Sequence, residues 1–134
     1  MENLTEIKIR GYHLDFYGHV NNARYLEFLE EGRWSMFEKN VDLKKWQQQG
    51  RAFFVVNINI SYRKPVSLGD VLEVRSFVSA IGERSGVIHQ EVYTKGPQTL
   101  MADADITFVI ADIGSGKALP LNGVLLAELE KLKS

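Results

Sequence analysis

Residues 22–39 read NARYLEFLEEGRWSMFEK, and the reading of this stretch decides the fold. Good helix formers dominate it, and Asn21 or Asn22 supplies an N-cap, so the spacing predicts one long helix from Asn22 to Lys39. Tyr25, Leu26, Phe28, Leu29, Trp34, Met36 and Phe37 stand among Glu27, Glu30, Glu31 and Arg33. They cover more than one narrow stripe, which predicts a helix enclosed on several sides, with Trp34 as packing.

Working outward, Ile7 and Ile9 alternate with Lys8 and Arg10 upstream, the pattern of a short strand with one buried face. Four strand candidates follow the helix. Phe54, Val56, Ile58, Ile60 and Tyr62 are expected on one face, and Asn57, Asn59, Ser61 and Arg63 on the other. Leu72, Val74, Val78 and Ala80 make a second strand whose alternation breaks at Ser76 and Phe77. Val87–Lys95 alternates loosely, and Leu100–Ile110 alternates cleanly, with small Ala102 and Ala104 facing the core and admitting the helix. Breaks at residues 64–70, 82–86, 96–97 and 114–116 are short, which favours hairpins and an antiparallel sheet. A short helix from Leu121 or Asn122 to Leu132 closes the chain. The order β-α-β-β-β-β predicts an α+β fold. About five antiparallel strands curl around one long helix, the arrangement of the hotdog fold.

The 134 residues carry no linker or repeat and read as a single domain, 1–134. At this mass about two-thirds of the unfolded surface can be hidden without metals or disulfides. Sixteen basic and 17 acidic residues nearly cancel and are scattered, which argues against a nucleic-acid or anionic-membrane surface. The chain has no cysteine, hence no disulfide, thiolate metal site or cysteine nucleophile, and this suits the cytoplasm. The charged start lacks a signal-peptide core, and no run of about 18 apolar residues is present to insert in a membrane.

Reactive residue types concentrate in Gly11–Asn22, GYHLDFYGHVNN, immediately before the helix. Asp15 lies six residues ahead of Asn21, too far to be only a cap. Free N–H groups and a partial positive charge at a helix start can polarise a carbonyl, while a nearby carboxylate attacks it or activates water. An aspartate is a weak base toward water, so such a site calls for a reactive carbonyl such as a thioester. The plainer reading is that Asp15 and His19 fasten the loop through hydrogen bonds. No G-x-S-x-G, P-loop or G-x-G-x-x-G is present. His13, Asp15 and distant His89 spell a two-histidine, one-carboxylate iron set, the sharpest competing chemistry. Arg63, Lys64, Arg84 and Lys95 at strand ends and turns either meet phosphates or are simply solvated.

The run Asp15–Tyr25, DFYGHVNNARY, resembles the D-x-Y-x-H-V-N-N-x-x-Y signature of hotdog thioesterases of the 4-hydroxybenzoyl-CoA type. RGYHLD, HVNNARYLEFLEE, VVNINISYRKP and DADITFV bring the resemblance closer to the family's bacterial long-chain acyl-CoA members, over nearly the whole chain. The resemblance implies an acyl-CoA thioesterase acting on medium or long chains. Asp15 would be its nucleophile or general base, and Asn22 its oxyanion donor through the backbone N–H. Tyr17, His19 and Tyr25 would shape the loop and acyl pocket. Arg84 and Ser85, or else Arg63, would meet CoA, although Gly82 and Glu83 depart from the family's basic-Ser run. It further implies no metal or organic cofactor, and homodimers or homotetramers with active sites at the subunit interface. The rival readings are a hotdog hydratase or dehydratase of enoyl or hydroxyacyl thioesters, lacking here the D-x-N-P-x-H sequence, and a non-catalytic acyl-CoA-binding protein.

Overall fold

In the computed structural model, which describes residues 2–134, helix α1 spans Asn22–Asn40. It buries Tyr25, Phe28, Leu29, Gly32, Arg33, Met36 and Phe37, a single stripe at i, i+3, i+4 spacing. The expected enclosure on several sides is therefore corrected. Leu26 and Trp34 lie outside the stripe, and Trp34 is 53% exposed.

The strands are β1 (Asn3–Lys8), β2 (Arg51–Tyr62), β3 (Val71–Ile81), β4 (Gly86–Thr94) and β5 (Leu100–Asp112). They form one antiparallel sheet in the order β1-β3-β4-β5-β2, so β1 and β2 are its edges. A single 3-10 turn, Gly11–His13, precedes α1, and α3 (Gly123–Glu130) closes the chain within the expected bounds. A six-residue helix, α2 (Leu43–Gln48), is additional to the predicted order; Asp42 caps it through Oδ1, and it buries Trp46.

Three departures from the predicted faces share one cause: polar residues on the inner face. Strand β1 begins four residues before Ile7, because buried Asn3 faces inward and donates to Ser35 Oγ on α1 at 3.2 Å. In β3 the inner face runs unbroken through Leu72, Val74, Ser76 and Val78, so Ser76 does not interrupt it. In β4, Gln90 is fully buried and donates to Ser76 Oγ and to the Leu29 carbonyl, both at 2.8 Å, while accepting from Arg33 Nη1 at 3.1 Å. Burial lowers the Arg33 pKa, with Glu30 acting against that shift. This network ties helix to sheet with each group answered, the condition for a buried polar cluster to be tolerated.

Helix α1 lies over β1 and β3. Its closest approach is made by Gly32, where an added Cβ would sit 2.8 Å from Val74 Cγ1 and 2.9 Å from Ser76 Oγ. Ala102 and Ala104 face the core as expected, but the glycine admits the helix.

Strand β2 contains a bulge. Its register steps from Val55↔Phe108 to Asn57↔Thr107 and leaves Val56 without a partner. The extra residue reverses the alternation, so Phe53 and Val55 share the inner face with Ile58, Ile60 and Tyr62. Phe54, expected on that face, is turned outward, and Phe53 takes its place against Phe108, with ring centroids 5.1 Å apart.

Candidate active site

The loop ahead of α1 is a tight hairpin built around Asp15. The Asp15 N–H donates to the His19 carbonyl at 2.8 Å, and the Gly18 N–H returns to the Asp15 carbonyl at 3.1 Å. Gly18 supplies the left-handed conformation this turn requires, at φ +79°. Asp15 Oδ1 accepts from the N–H groups of Tyr17 (2.9 Å) and His19 (3.3 Å). The loop-fastening role is thus real, but it occupies one carboxylate oxygen. Oδ2 takes no hydrogen bond from the described residues. Phe16 and Tyr17 form the tip, 94% and 80% exposed.

His13 anchors the base of this loop. Its Nδ1 accepts from the Arg10 N–H at 2.9 Å, and its carbonyl accepts from Asn21 at 2.9 Å. Burial and then the Arg24 charge lower its pKa, which keeps the ring neutral and able to accept. Val20 is buried and donates to Val66 at 2.8 Å, fixing the loop beside the β2–β3 connection.

Asn21 is the cap of α1; its Oδ1 accepts from Ala23 at 2.9 Å. Asn22 is the first helical residue, so its N–H has no partner within the helix. The Tyr62 hydroxyl, at the far end of β2, donates to the Asn22 carbonyl at 3.0 Å. A cleft of about 280 Å³ opens here, lined by Asp15, His19, Val20, Asn22, Tyr25, Tyr62, Arg63, Lys64 and Pro65. Six residues singled out in the sequence (Asp15, His19, Asn22, Tyr25, Arg63 and Lys64) come together in it. Tyr62 was missed; its one signal was its place just before Arg63-Lys64-Pro65 at a strand end.

The remaining candidates lie outside this cleft within one chain. Tyr17 is at the loop tip. Arg84 is in the β3–β4 turn, where it donates to the Ala118 carbonyl at 2.9 Å, and Ser85 accepts from Gly82 in the same turn. Arg63 is held by Asp103 in a two-pronged pair at 3.1–3.2 Å, which leaves Lys64 as the cleft's uncommitted cation among the described residues. His89 is separated from the His13–Asp15 pair. It stands on the outer sheet face, with Nδ1 at 2.8 Å from Asp105 and Nε2 at 3.2 Å from Glu91, so the iron set does not assemble. No three His, Asp or Glu side chains among the described residues are grouped to hold a metal.

A second, larger hollow of about 580 Å³ lies between α1, α2 and the first half of β2. Trp34, Phe37, Leu43, Trp46, Phe53 and Val55 make its apolar wall, with Arg33 and Lys44 also lining it. It was not legible in the sequence because α2, which closes one side, was not predicted.

The small cleft is lined by a carboxylate with one oxygen free of hydrogen bonds from the described residues and by the first residue of a helix, two of the groups that attack on a polarised carbonyl calls for. Comparison with known proteins gives the family. The chain matches the Thioesterase-like superfamily over residues 9–129. It is 47% identical to the long-chain acyl-CoA thioesterase FadM of Escherichia coli over 128 residues, 96% of this chain and 97% of the relative. The crystal structure of YbaW from Escherichia coli superposes with a TM-score of 0.92 at 45% identity, covering 98% of this chain and 99% of that one. A 1,4-dihydroxy-2-naphthoyl-CoA thioesterase from Synechocystis shares the fold at a TM-score of 0.86, with 19% identity and 98% of both chains covered. A five-stranded antiparallel sheet packed on one long helix, and the matches over nearly the whole length, make this chain a hotdog-fold thioester hydrolase that belongs to the Thioesterase-like superfamily.

Proposed function

We propose that this chain hydrolyses fatty acyl-CoA to a free fatty acid and CoA, with Asp15 as the reacting carboxylate and the start of α1 as the electrophilic pole. The observation that carries this reading is the meeting of Asp15, with its open Oδ2, and Asn22, with its unpaired N–H, in one cleft. The thioester oxygen sits at the Asn22 N–H. Asp15 either adds to the carbonyl carbon or takes a proton from the water that does. The C=O electron pair moves onto oxygen and returns as the C–S bond breaks. The thiolate leaves and is protonated by solvent. If Asp15 adds directly, a mixed anhydride forms and water then hydrolyses it. The phosphates of the CoA moiety approach over Lys64, with Arg63 beside it neutralised by Asp103.

A pair of chains makes the complete site in this reading. Strand β2 is an open edge with exposed Phe54, Val55 and Val56, a surface suited to pairing with a second β2. Antiparallel self-pairing brings the first half of one strand beside the last half of its copy. The first half lines the larger hollow and the last half lines the Asp15 cleft, so each cleft opens toward the other chain's apolar hollow. A tail longer than the cleft continues there. The long-chain substrate named for the Escherichia coli relative supports the same choice.

The test is release of free thiol from acyl-CoA of graded length by wild type and Asp15→Asn. Asparagine keeps an oxygen to accept from Tyr17 and His19, so the loop persists. Turnover should fall at least about 10²-fold with thermal stability preserved. Undiminished hydrolysis by the variant would remove Asp15 from the mechanism.

A further inference from the structure

Tyr25 is out of keeping with its surroundings. It is 2% exposed, deep in the contact between α1 and the β2–β3 connection, yet its hydroxyl makes no hydrogen bond to any described residue. The oxygen is not among the enclosed side-chain atoms left without a partner, so it reaches solvent-accessible space although the residue as a whole is buried. The ring itself is fully accounted for, edge-on to Tyr62 at 5.2 Å and near Phe28 at 6.0 Å. What remains unexplained is the oxygen, and the residue lines the Asp15 cleft.

Position on the helix says what the oxygen can reach. Tyr25 is three residues beyond Asn22, on the same helical face, and long side chains in a helix lean toward its N-terminus. Tyr62 links the two, since its ring packs on Tyr25 and its hydroxyl binds the Asn22 carbonyl. The turn that carries the unpaired Asn22 N–H therefore also carries an unpaired O–H. Oxyanion sites work by aiming preorganised donors at the oxygen on which charge develops, and a single N–H leaves such a site half built.

We infer that the Tyr25 hydroxyl is the second donor to the thioester carbonyl oxygen, joining the Asn22 N–H when the carbon is attacked. This rests on the thioesterase reading above and adds a catalytic residue to it. The hydroxyl lends a hydrogen bond and keeps its proton; the electron pair that shifts onto the carbonyl oxygen returns when the C–S bond breaks. Burial, with smaller contributions from Tyr62 and Asp70, pushes the Tyr25 pKa up to about 12, so the group stays a donor through the working pH range.

Tyr25→Phe removes only the oxygen and keeps the packed ring. On a long-chain acyl-CoA its kcat should drop about 10²–10³-fold, the effect of losing one oxyanion donor, with KM changed less than about threefold. Its Tm should be equal to or above that of wild type, because no hydrogen bond within the protein is lost. On the dithioester analogue sulfur replaces the carbonyl oxygen and accepts hydrogen bonds weakly, so the ratio of wild-type to variant kcat should shrink toward one. A variant kcat within about threefold of wild type overturns the role, and so does an undiminished ratio on the dithioester. Failure of wild type to release thiol from any acyl-CoA overturns the thioesterase reading itself, and the Tyr25 role with it.

Discussion

Each ring nitrogen of His89 faces a carboxylate, and the titration of the residue follows from that. Partial burial pulls its pKa down, but the hydrogen bonds to Asp105 and Glu91, with their charges, outweigh it and raise the value above the ordinary 6.5. Phe77 packs against the ring, and Arg75, paired to Glu91, is the nearby opposing charge. The folded chain therefore holds this proton more tightly than the unfolded chain. The resulting stability is complete below the unfolded pKa and is lost as pH rises through the raised one. His89→Gln should lower Tm most at about pH 5–6 and least near about pH 9, read by thermal melts across that range. A gap that widens with rising pH would contradict the ion-pair account. The same residue shows the limit of sequence spacing, since His13, Asp15 and His89 matched a ligand pattern that folding pulls apart. The cluster that does line one cleft was legible because Asp15, His19 and Asn22 are local to one another. Tyr62 reaches Asn22 across 40 residues, and only tertiary pairing reveals that.

Gly32 shows how one residue sets the distance between two elements. An added methyl would meet Val74, Ser76 and Gln90 at 2.8–3.0 Å, and two of these belong to the buried Arg33–Gln90–Ser76 network. Alanine gains up to about 1 kcal/mol in helix propensity over glycine, while overpacking a core costs about 1–3 kcal/mol. The network cannot yield without breaking a hydrogen bond, so the steric cost wins. Gly32→Ala should lose about 1–2 kcal/mol in urea unfolding at an unchanged m-value. A neutral or stabilising result would mean that α1 is free to shift. Elements were legible where burial and hydrophobicity coincide, as in α1 and β5. They were not where a buried residue is polar, as at Asn3, Ser76 and Gln90, or where an extra residue such as Val56 inverts the faces of β2. Six residues of α2 are too few for a periodic signal; its cap and the burial of Trp46 are tertiary facts.

At the scale of the molecule, the two hollows lie at opposite ends of one edge strand, and the proposed pairing makes them a single path. Val56→Lys puts a charge on the exposed bulge of that edge. The particle mass measured by light scattering should fall to that of one chain, and hydrolysis of long-chain acyl-CoA should fall with it, while the circular dichroism spectrum is kept. An active single chain would separate catalysis from assembly.

The order β1-β3-β4-β5-β2 also governs when the site comes into being. Every residue of the Asp15 cleft lies between positions 15 and 65, in the first half of the chain. Yet β2 has β5 as its sheet neighbour, and β5 ends at Asp112. The three consecutive strands β3, β4 and β5 can zip through short hairpins. The two edges must wait for partners tens of residues away, at a higher cost in loop closure. On a ribosome, all the groups of the proposed site would emerge early and stay idle until the strand that seats Tyr62 beside Asn22 had somewhere to dock. Catalysis in this chain is thus a late product of folding, and activity reports that the last edge has closed.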